Sequence, residues 1–258
     1  MAFNFPDSPT AGQIFTDAAS GAQYVYTNGV WMQSSAAQFK LGPSFIRQQI
    51  KTTTGAITLH ADTTAFQVEV VAGGGGGGQI PAVAPAGQAS AGTGGAGGAY
   101  CSKWIIRPSG TFNPVATIGA GGGSQATGGQ SAYGDGTNSL LANGGPGGFQ
   151  LGAAAGLLWS NANPGQNATG GDFNRNGERG EGAVIHGANQ NARSGSGGNS
   201  PFGVGGYAIA ANAGGGLLVG NAGSGYGAGG SGAIATAGGG GVGGGAGSPG
   251  VVVITEYH

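Results

Sequence analysis

The chain has 258 residues, 64 of them glycine, and a formal net charge of −1, with charged residues at 7% of the total. The 8 lysines and arginines against 9 aspartates and glutamates form no basic field, so we expect no nucleic-acid partner. No apolar run approaches the roughly 18 residues of a transmembrane helix, so we expect no membrane span. The single cysteine excludes an intrachain disulfide framework.

Residues 1–40 predict a small β-meander. Short strand-like runs surround Asn28-Gly29, the strongest short signal for a two-residue hairpin. Its expected core consists of aromatic side chains, namely Phe15, Tyr24, Tyr26 and Trp31. A unit of this size is too small to be stable alone, so we expect it to dock on another protein or to form a homotrimer. The first residues lack the basic and apolar segments of a signal peptide, so we expect synthesis in a cytoplasm without export by that route.

A resemblance rests on two motifs of this N-terminal region. They read Phe5-Pro6-x-x-Pro9-Thr10-x-Gly12-Gln13-x-Phe15 and Tyr24-Val25-Tyr26-x-Asn28-Gly29-x-Trp31. Together they resemble a short module found near the N-termini of bacteriophage structural proteins, tail fibres among them. The resemblance implies that Phe15, Tyr24, Tyr26 and Trp31 attach the chain to other virion tail proteins.

Residues 41–56 predict a linker into a second domain over residues 57–258. Phe45, Ile46 and Ile50 are compatible with a helical turn, but Gly42-Pro43 directly precedes them, so this segment stays ambiguous. From residue 57 the pattern is that of strands, clearest where Phe66, Val68 and Val70 alternate with other residues. Further strands are predicted over 100–107, 115–118, 139–142 and 251–257.

Glycine changes abruptly in frequency at Ala72/Gly73. Residues 1–72 contain only five glycines, and all the others lie within 73–250. Flexible linkers, collagen and silk-like repeats explain the tracts poorly, because there are too many tracts for linkers and their spacing is irregular. We favour extended polyglycine II helices that bundle side by side and hydrogen-bond to one another. Valine at a central position such as Gly76, Gly122 or Gly240 should then disrupt packing.

The order of these segments resembles the glycine-rich domain of phage tail fibre and adhesin proteins, over residues 57–258. Strands run into glycine tracts, and the last tract runs into Ser248-Pro249-Gly250 and the strand Val251–Tyr257. The resemblance implies an all-β chain with irregular structure, a small β-sandwich interleaved with polyglycine II helices and preceded by the small β-meander. It also implies that loops between the helices can bind a receptor.

Motifs for catalysis or cofactor binding are weak. Gly225-Tyr-Gly-Ala-Gly-Gly230 fits a dinucleotide fingerprint by chance composition alone, and Cys101 lies in a strand pattern typical of a buried thiol. Asp172–Gly177 matches the first half of a calcium loop, but position twelve is Ala183, which favours a polar surface turn. Glu178 and Glu181 lack the rigid support of a glycosidase pair. We therefore expect no enzyme activity, no cofactor and no metal.

The interval 149–194 is the longest stretch between glycine tracts, and it is rich in the aromatic, Asn and Arg side chains common at binding hot spots. We interpret it as a receptor-contacting surface, although Leu157, Leu158 and Trp159 are also compatible with a cap on the bundle. The expected function is a virion tail protein that binds a host surface polysaccharide or outer-membrane protein; the alternative is a purely structural virion protein. The candidate contact residues are Trp159, Asn161, Phe173, Asn174, Arg175, Arg179 and His186.

Overall fold

The structure is a computed structural model. In it, runs of alternating apolar residues form short strands, and the glycine tracts form extended segments. The structure describes residues 5–6, 8–16, 23–33, 44–81, 84–110, 112–186, 191–212, 216–236 and 241–258. These residues form strands, turns and extended segments without a helix, which confirms the all-β prediction. The predicted boundary at residue 40 and the glycine at position 240 lie outside the described residues.

The strands are numbered in chain order. The first twelve are β1 (Ile14–Thr16), β2 (Gln23–Thr27), β3 (Val30–Gln33), β4 (Phe45–Lys51), β5 (Gly55–Ala56), β6 (Ala65–Val71), β7 (Ala89–Gly92), β8 (Tyr100–Ile106), β9 (Val115–Thr117), β10 (Ser131–Gly134), β11 (Ser139–Ala142) and β12 (Gln150–Ala154). The others are β13 (Leu158–Ser160), β14 (Ala168–Thr169), β15 (Phe173–Arg175), β16 (Ala183–His186), β17 (Asn191–Arg193), β18 (Phe202–Val204), β19 (Ala210–Ala211), β20 (Leu217–Leu218), β21 (Ser224–Tyr226), β22 (Ile234–Thr236) and β23 (Val251–Tyr257).

The chain divides into two compact units, Met1–Ser44 and Phe45–His258. The first contains the antiparallel meander β1-β2-β3. Thr27 pairs with Val30 across a two-residue turn, in which Asn28 and Gly29 have φ values of 51° and 83°. Both central residues therefore have the positive φ that a type I′ hairpin requires, as the Asn-Gly pair predicts.

Within the described residues, the second unit contains two β-sandwiches where the sequence predicts one. In the first sandwich, the sheet β15-β8-β6-β23-β4 packs on the sheet β14-β11-β10-β9-β5 around buried Phe66, Val68, Tyr133, Leu140 and Ile254. In the second sandwich, β12-β7-β22-β20 packs on β13-β16-β17-β19 around a smaller core rich in alanine. That core has few large apolar residues, which is why composition does not reveal it.

The glycine segments connect the two sandwiches and form a bundle. Residues 72–78 lead from β6 of the first sandwich toward the second, and residues 92–99 lead back from β7 to β8. Residues 143–149 lead from β11 to β12, and residues 227–233 run in the same direction, from β21 to β22. The sandwiches therefore lie at opposite ends of the bundle, about 20 Å apart for seven residues at the polyglycine II rise of 3.1 Å per residue.

Residues 73–78 form the centre of the bundle. Each N–H donates to a neighbouring carbonyl at 2.8–2.9 Å, and each carbonyl accepts from a neighbouring N–H at 2.8–3.0 Å. Partners repeat every third residue, as a helix with three residues per turn requires. Six segments surround this centre and accept or donate these bonds, namely 122–125, 126–129, 145–148, 93–96, 230–233 and 245–248.

Such packing requires the absence of a Cβ. An added Cβ at Gly76 would fall on the carbonyl oxygen of Gly123, and one at Gly122 on that of Ala126, far inside ordinary contact distance. A branched side chain at either position therefore cannot be accommodated without moving backbone. Within the bundle, backbone hydrogen bonds take the place of a side-chain core.

The predicted linker over 41–56 is wrong for residues 45–56. Strand β4 pairs with β23 along its length and forms an edge of the first sandwich, while β5 pairs with β9. The apolar pattern of β4 misleads because Phe45 and Ile50 are 64% and 58% exposed, whereas the inward-facing Arg47 and Gln49 are polar.

Those polar side chains bind the buried carboxylate of Glu256 on β23. Arg47 Nε and Gln49 Nε2 donate to Glu256 Oε1 at 2.7 and 2.6 Å. The His60 N–H and Thr63 Oγ1 donate to Oε2, each at 2.6 Å. Burial alone would raise the pKa of Glu256, but these four hydrogen bonds together hold that pKa below its usual range. The network fixes the edge strand and the loop that precedes β6.

Candidate functional site

The predicted contact residues Trp159, Asn161 and His186 belong to the second sandwich. Trp159 lies on β13 opposite Val184 of β16, and His186 ends β16. The Trp159 side chain is 65% exposed, and Leu157 just before β13 is 69% exposed. Asn161 is also exposed, directly after β13. This group therefore presents an aromatic ring, an amide and an imidazole on one sheet.

Phe173, Asn174 and Arg175 lie instead on the first sandwich. They form β15, an edge strand paired with β8, and all three are exposed. The Phe173 ring contacts Tyr100 edge-to-face, with centroids 6.1 Å apart. The Asn174 side chain is bound locally, since its Oδ1 accepts the Gly171 N–H and its Nδ2 donates to the Gly171 carbonyl.

The partial calcium-loop motif serves as a strand anchor in this structure. Asp172 Oδ2 accepts the backbone N–H of Trp104 at 2.9 Å, and Oδ1 lies 4.0 Å from Lys103 Nζ. Both contacts hold β15 against β8. Across the described ranges, no group of three His, Cys, Asp or Glu side chains is arranged to hold a metal ion.

Arg179 lies on the bundle between the two sandwiches. The carbonyls of its neighbours Glu178 and Glu181 accept the N–H groups of Gly97 and Gly94, so residues 178–181 form an outer segment of the bundle. Arg179 itself is exposed. Glu181 pairs with Arg193 at 3.0 Å on the surface.

The seven candidates therefore do not form one surface. The interval 149–194 crosses the bundle twice, because β12 and β13 belong to the second sandwich, β14 and β15 to the first, and β16 again to the second. The interpretation of this interval as a single long connection is wrong. Sequence distance between glycine tracts cannot show this, because the tracts do not reveal where the chain reverses.

The four predicted attachment residues do come together in the meander. Phe15, Tyr24 and Trp31 surround the ring of Phe5, with centroids 5.0, 5.2 and 5.1 Å from it. The Tyr26 ring lies 5.4 Å from Trp31. The aromatic residues thus form the small core that the sequence predicts; their role in attachment stays a prediction.

A row of amide side chains on the bundle was missed by the sequence interpretation. Gln130 Nε2 donates to Asn143 Oδ1 at 2.7 Å, and Asn143 Nδ2 donates to Asn167 Oδ1 at 3.0 Å. These amides lie beside a shallow groove of about 480 Å³ that is also lined by Gln166 and Thr127. The available signal is the placement of polar residues at the ends of glycine tracts.

The cysteine is unsuited to nucleophilic chemistry. Cys101 is fully buried in the core of the first sandwich. Burial raises the pKa of its thiol to about 11, against a smaller lowering effect of a backbone hydrogen bond at Leu141. The thiolate that acts as nucleophile is therefore scarce at neutral pH.

The comparisons with known proteins identify a family for most of the chain. In the described part of the chain, no helix is both long enough and apolar enough to cross a membrane. A search of curated proteins found no match. The family model of a glycine-rich domain matches residues 51–257, which include the bundle and both sandwiches apart from most of strand β4. Because the match covers most of the chain, this protein belongs to the glycine-rich domain family.

Proposed function

We propose that this protein is a virion tail fibre or tail-tip protein that binds a receptor on the host cell surface. The motifs at residues 5–31 and the order of glycine tracts support this, since both resemble phage tail proteins. The alternative, a purely structural fibre or decoration protein, would have no receptor of its own. Binding to host cells separates the two.

The observation that carries the proposal is the exposed surface of the second sandwich. Inside the bundle, the segments contact one another through their backbones, so they expose almost no side chains that a receptor could recognise. Trp159 and Leu157 instead expose most of their surface, at the end of the bundle opposite β4 and β23. Exposed tryptophan on a rigid sheet is typical of binding hot spots. Trp159, Asn161 and His186 are therefore the proposed receptor contacts.

Phe173, Arg175 and Arg179 are the competing candidate contacts. They lie on β15 and on the outer bundle segment, away from the second sandwich. Both sets share the aromatic and polar character that suits sugars or protein loops. Only one of the two surfaces needs to contact the receptor, so variants in each set are compared directly.

The test measures binding of fluorescently labelled full-length protein to bacteria that the phage infects. Trp159→Ala should weaken binding at least roughly tenfold, because a central aromatic contact is lost. Phe173→Ala is the matched variant on the competing surface, and Ser109→Ala on an exposed loop is the neutral control. Each variant needs a melting curve beside its binding curve. Loss of binding with Phe173→Ala alone would transfer the contact surface to β15, and absence of binding by the unaltered protein would favour the structural alternative.

We further propose that residues 1–40 attach the chain to other virion tail proteins and that the protein is a homotrimer. Such a small aromatic core supports this, because it buries little apolar surface by itself. Light scattering of the full chain at micromolar concentration should give three times the chain mass of 24.4 kDa. A stable monomer would contradict the assembly proposal without affecting receptor binding.

A further inference from the structure

The groove beside the amide row lies on the outside of the bundle. Its floor contains the buried glycines Gly128 and Gly144, and its sides carry Thr127, Gln130 and Gln166. It runs next to the segments 126–130 and 143–147, which are joined by the bond from the Gly128 N–H to the Gly145 carbonyl. None of its lining residues is charged or aromatic.

One backbone donor on the floor of this groove has no acceptor. The N–H groups of Gly145 and Gly148 point to the central segment, and that of Asn143 bonds to Asn167. With three residues per turn, the N–H of Gly144 points in the remaining direction. In the ranges that the structure describes, no carbonyl or side chain accepts it. This N–H is therefore a further donor at the groove, beside the amide side chains, from which a ligand oxygen can accept a hydrogen bond.

A further glycine segment does not fit this groove. Inside the bundle, contact between segments depends on glycines whose added Cβ would meet a neighbouring carbonyl. Thr127, Gln130 and Gln166 carry side chains at the groove, which prevent a backbone from approaching to the same distance. The side chains therefore end the bundle at this surface and replace backbone partners with amide groups.

The amides offer donors and acceptors in a fixed arrangement. Within the row, Asn143 is bonded on both sides, so its orientation is set by Gln130 and Asn167. Each amide still has lone pairs or N–H groups that these bonds do not use. An uncharged surface of this kind suits hydroxyl groups, which both donate and accept, and it has no positive charge to pair with a phosphate or a carboxylate.

We propose that this groove binds a neutral glycan segment through Gln130, Asn143, Gln166 and the N–H of Gly144. The site is separate from the second sandwich. The proposal depends on the proposed host attachment only in naming the host cell surface as the source of the glycan. Because the groove is shallow, we expect binding with a Kd of about 1 mM for a short oligosaccharide.

The test follows the backbone amide signals of the isotope-labelled full chain by NMR during titration. Maltohexaose and a mannose hexasaccharide are the neutral probes, and a galacturonic acid hexasaccharide is the charged comparison. At least one neutral probe should shift the Gly128 and Gly144 signals. The double variant Gln130→Leu/Gln166→Leu should weaken that binding roughly tenfold, since two hydrogen bonds are lost. Gln88→Leu, an amide substitution at the second sandwich, should leave it unchanged.

The outcomes separate this site from receptor binding. Shifts confined to the second sandwich, stronger binding of the charged probe, no shift with either neutral sugar, or unchanged binding by the double variant would each overturn the glycan site. Cell adsorption by the same double variant is measured in parallel. If the unaltered protein bound a neutral sugar in the groove but did not adsorb to cells, the glycan site would stand and the attachment function would be contradicted.

Discussion

In the first sandwich, large side chains such as Phe66 and Leu140 fill the space between two sheets, whereas the glycine bundle has backbone in that place. The sandwich removes apolar surface from water, and its stability depends on the volume and shape of side chains. The bundle satisfies every N–H and carbonyl of residues 73–78 with six neighbouring segments.

The difference teaches how a chain with few large apolar residues can still form a defined structure. Ordering glycine costs more backbone entropy than ordering any other residue. Each hydrogen bond contributes only about 0.5–1.5 kcal/mol net, so many must form together in one cooperative unit. The two regions should therefore respond differently to substitution: the bundle to an added Cβ that meets a neighbouring backbone, the sandwich to lost side-chain volume.

The largest expected effect comes from adding one methyl group inside the bundle. Gly122→Ala should lower the free energy of unfolding by more than about 4 kcal/mol, because the new Cβ meets the Ala126 carbonyl and the backbone at Gly76. Gly123→Ala is the matched control one residue away, since a Cβ there meets nothing within 4 Å. Chemical denaturation measures both. Equal stability of the two variants would contradict the hydrogen-bonded bundle.

A large-to-small substitution in the first sandwich should have the next largest effect. Phe66→Ala removes a fully buried ring near Phe112 and Tyr133, so we expect a loss of about 3–5 kcal/mol in the free energy of unfolding. Phe173→Ala, on an exposed strand of the same sheet, should cost much less. If the two phenylalanines were equivalent in a denaturation series, the sandwich would not be the side-chain core described above.

The buried carboxylate gives a pH-dependent test of the edge strand. The pKa of Glu256 is lower in the folded chain than the roughly 4.3 of an unfolded glutamate, so its contribution is present above that value. This contribution is lost as the pH falls through the lower folded-state pKa. Glu256→Gln should cost about 2 kcal/mol at pH 7 and reduce the acid sensitivity of unfolding.

The matched control is Glu181→Gln, which removes a surface pair with Arg193 in which both side chains are 52% exposed. Surface pairs contribute about 0–1 kcal/mol, so this change should be small. Thermal unfolding from pH 7 to pH 3 measures both variants. An unchanged pH profile in Glu256→Gln would show that the network around β4 does not stabilise the ionised carboxylate.

The smallest effect on stability is expected at the proposed receptor contact. Trp159→Ala should change the free energy of unfolding by less than about 0.5 kcal/mol, because the side chain is largely exposed. Ile185→Ala, on the neighbouring strand β16 but fully buried, should cost several times more. A loss at Trp159 as large as that at Ile185 would support the interpretation that this residue caps the bundle instead of contacting a receptor.

Local signals in the sequence determined several features of this protein. The Asn28-Gly29 hairpin and the strand β6 follow from turn chemistry and from alternation of apolar residues, which depend on neighbours in the chain. The strand β23 follows from its unbroken run of β-branched residues. Composition also predicts that the glycine tracts are ordered, because their many backbone N–H and carbonyl groups require hydrogen-bond partners.

Only the tertiary structure decided which segments become neighbours. A glycine tract has no side-chain pattern, so it does not specify which six segments surround residues 73–78 or where the chain reverses. For the same reason, the sequence did not show that Trp159 and Phe173 lie on different sandwiches, and it did not show the amide groove. Strand β4 was misassigned because its inward residues are polar and are stabilised by Glu256, more than 200 residues later in the chain. Partners so distant in sequence produce no local sequence pattern. The hydrogen bonds between remote backbone segments, and the burial of the Glu256 carboxylate, exist only once the chain has folded.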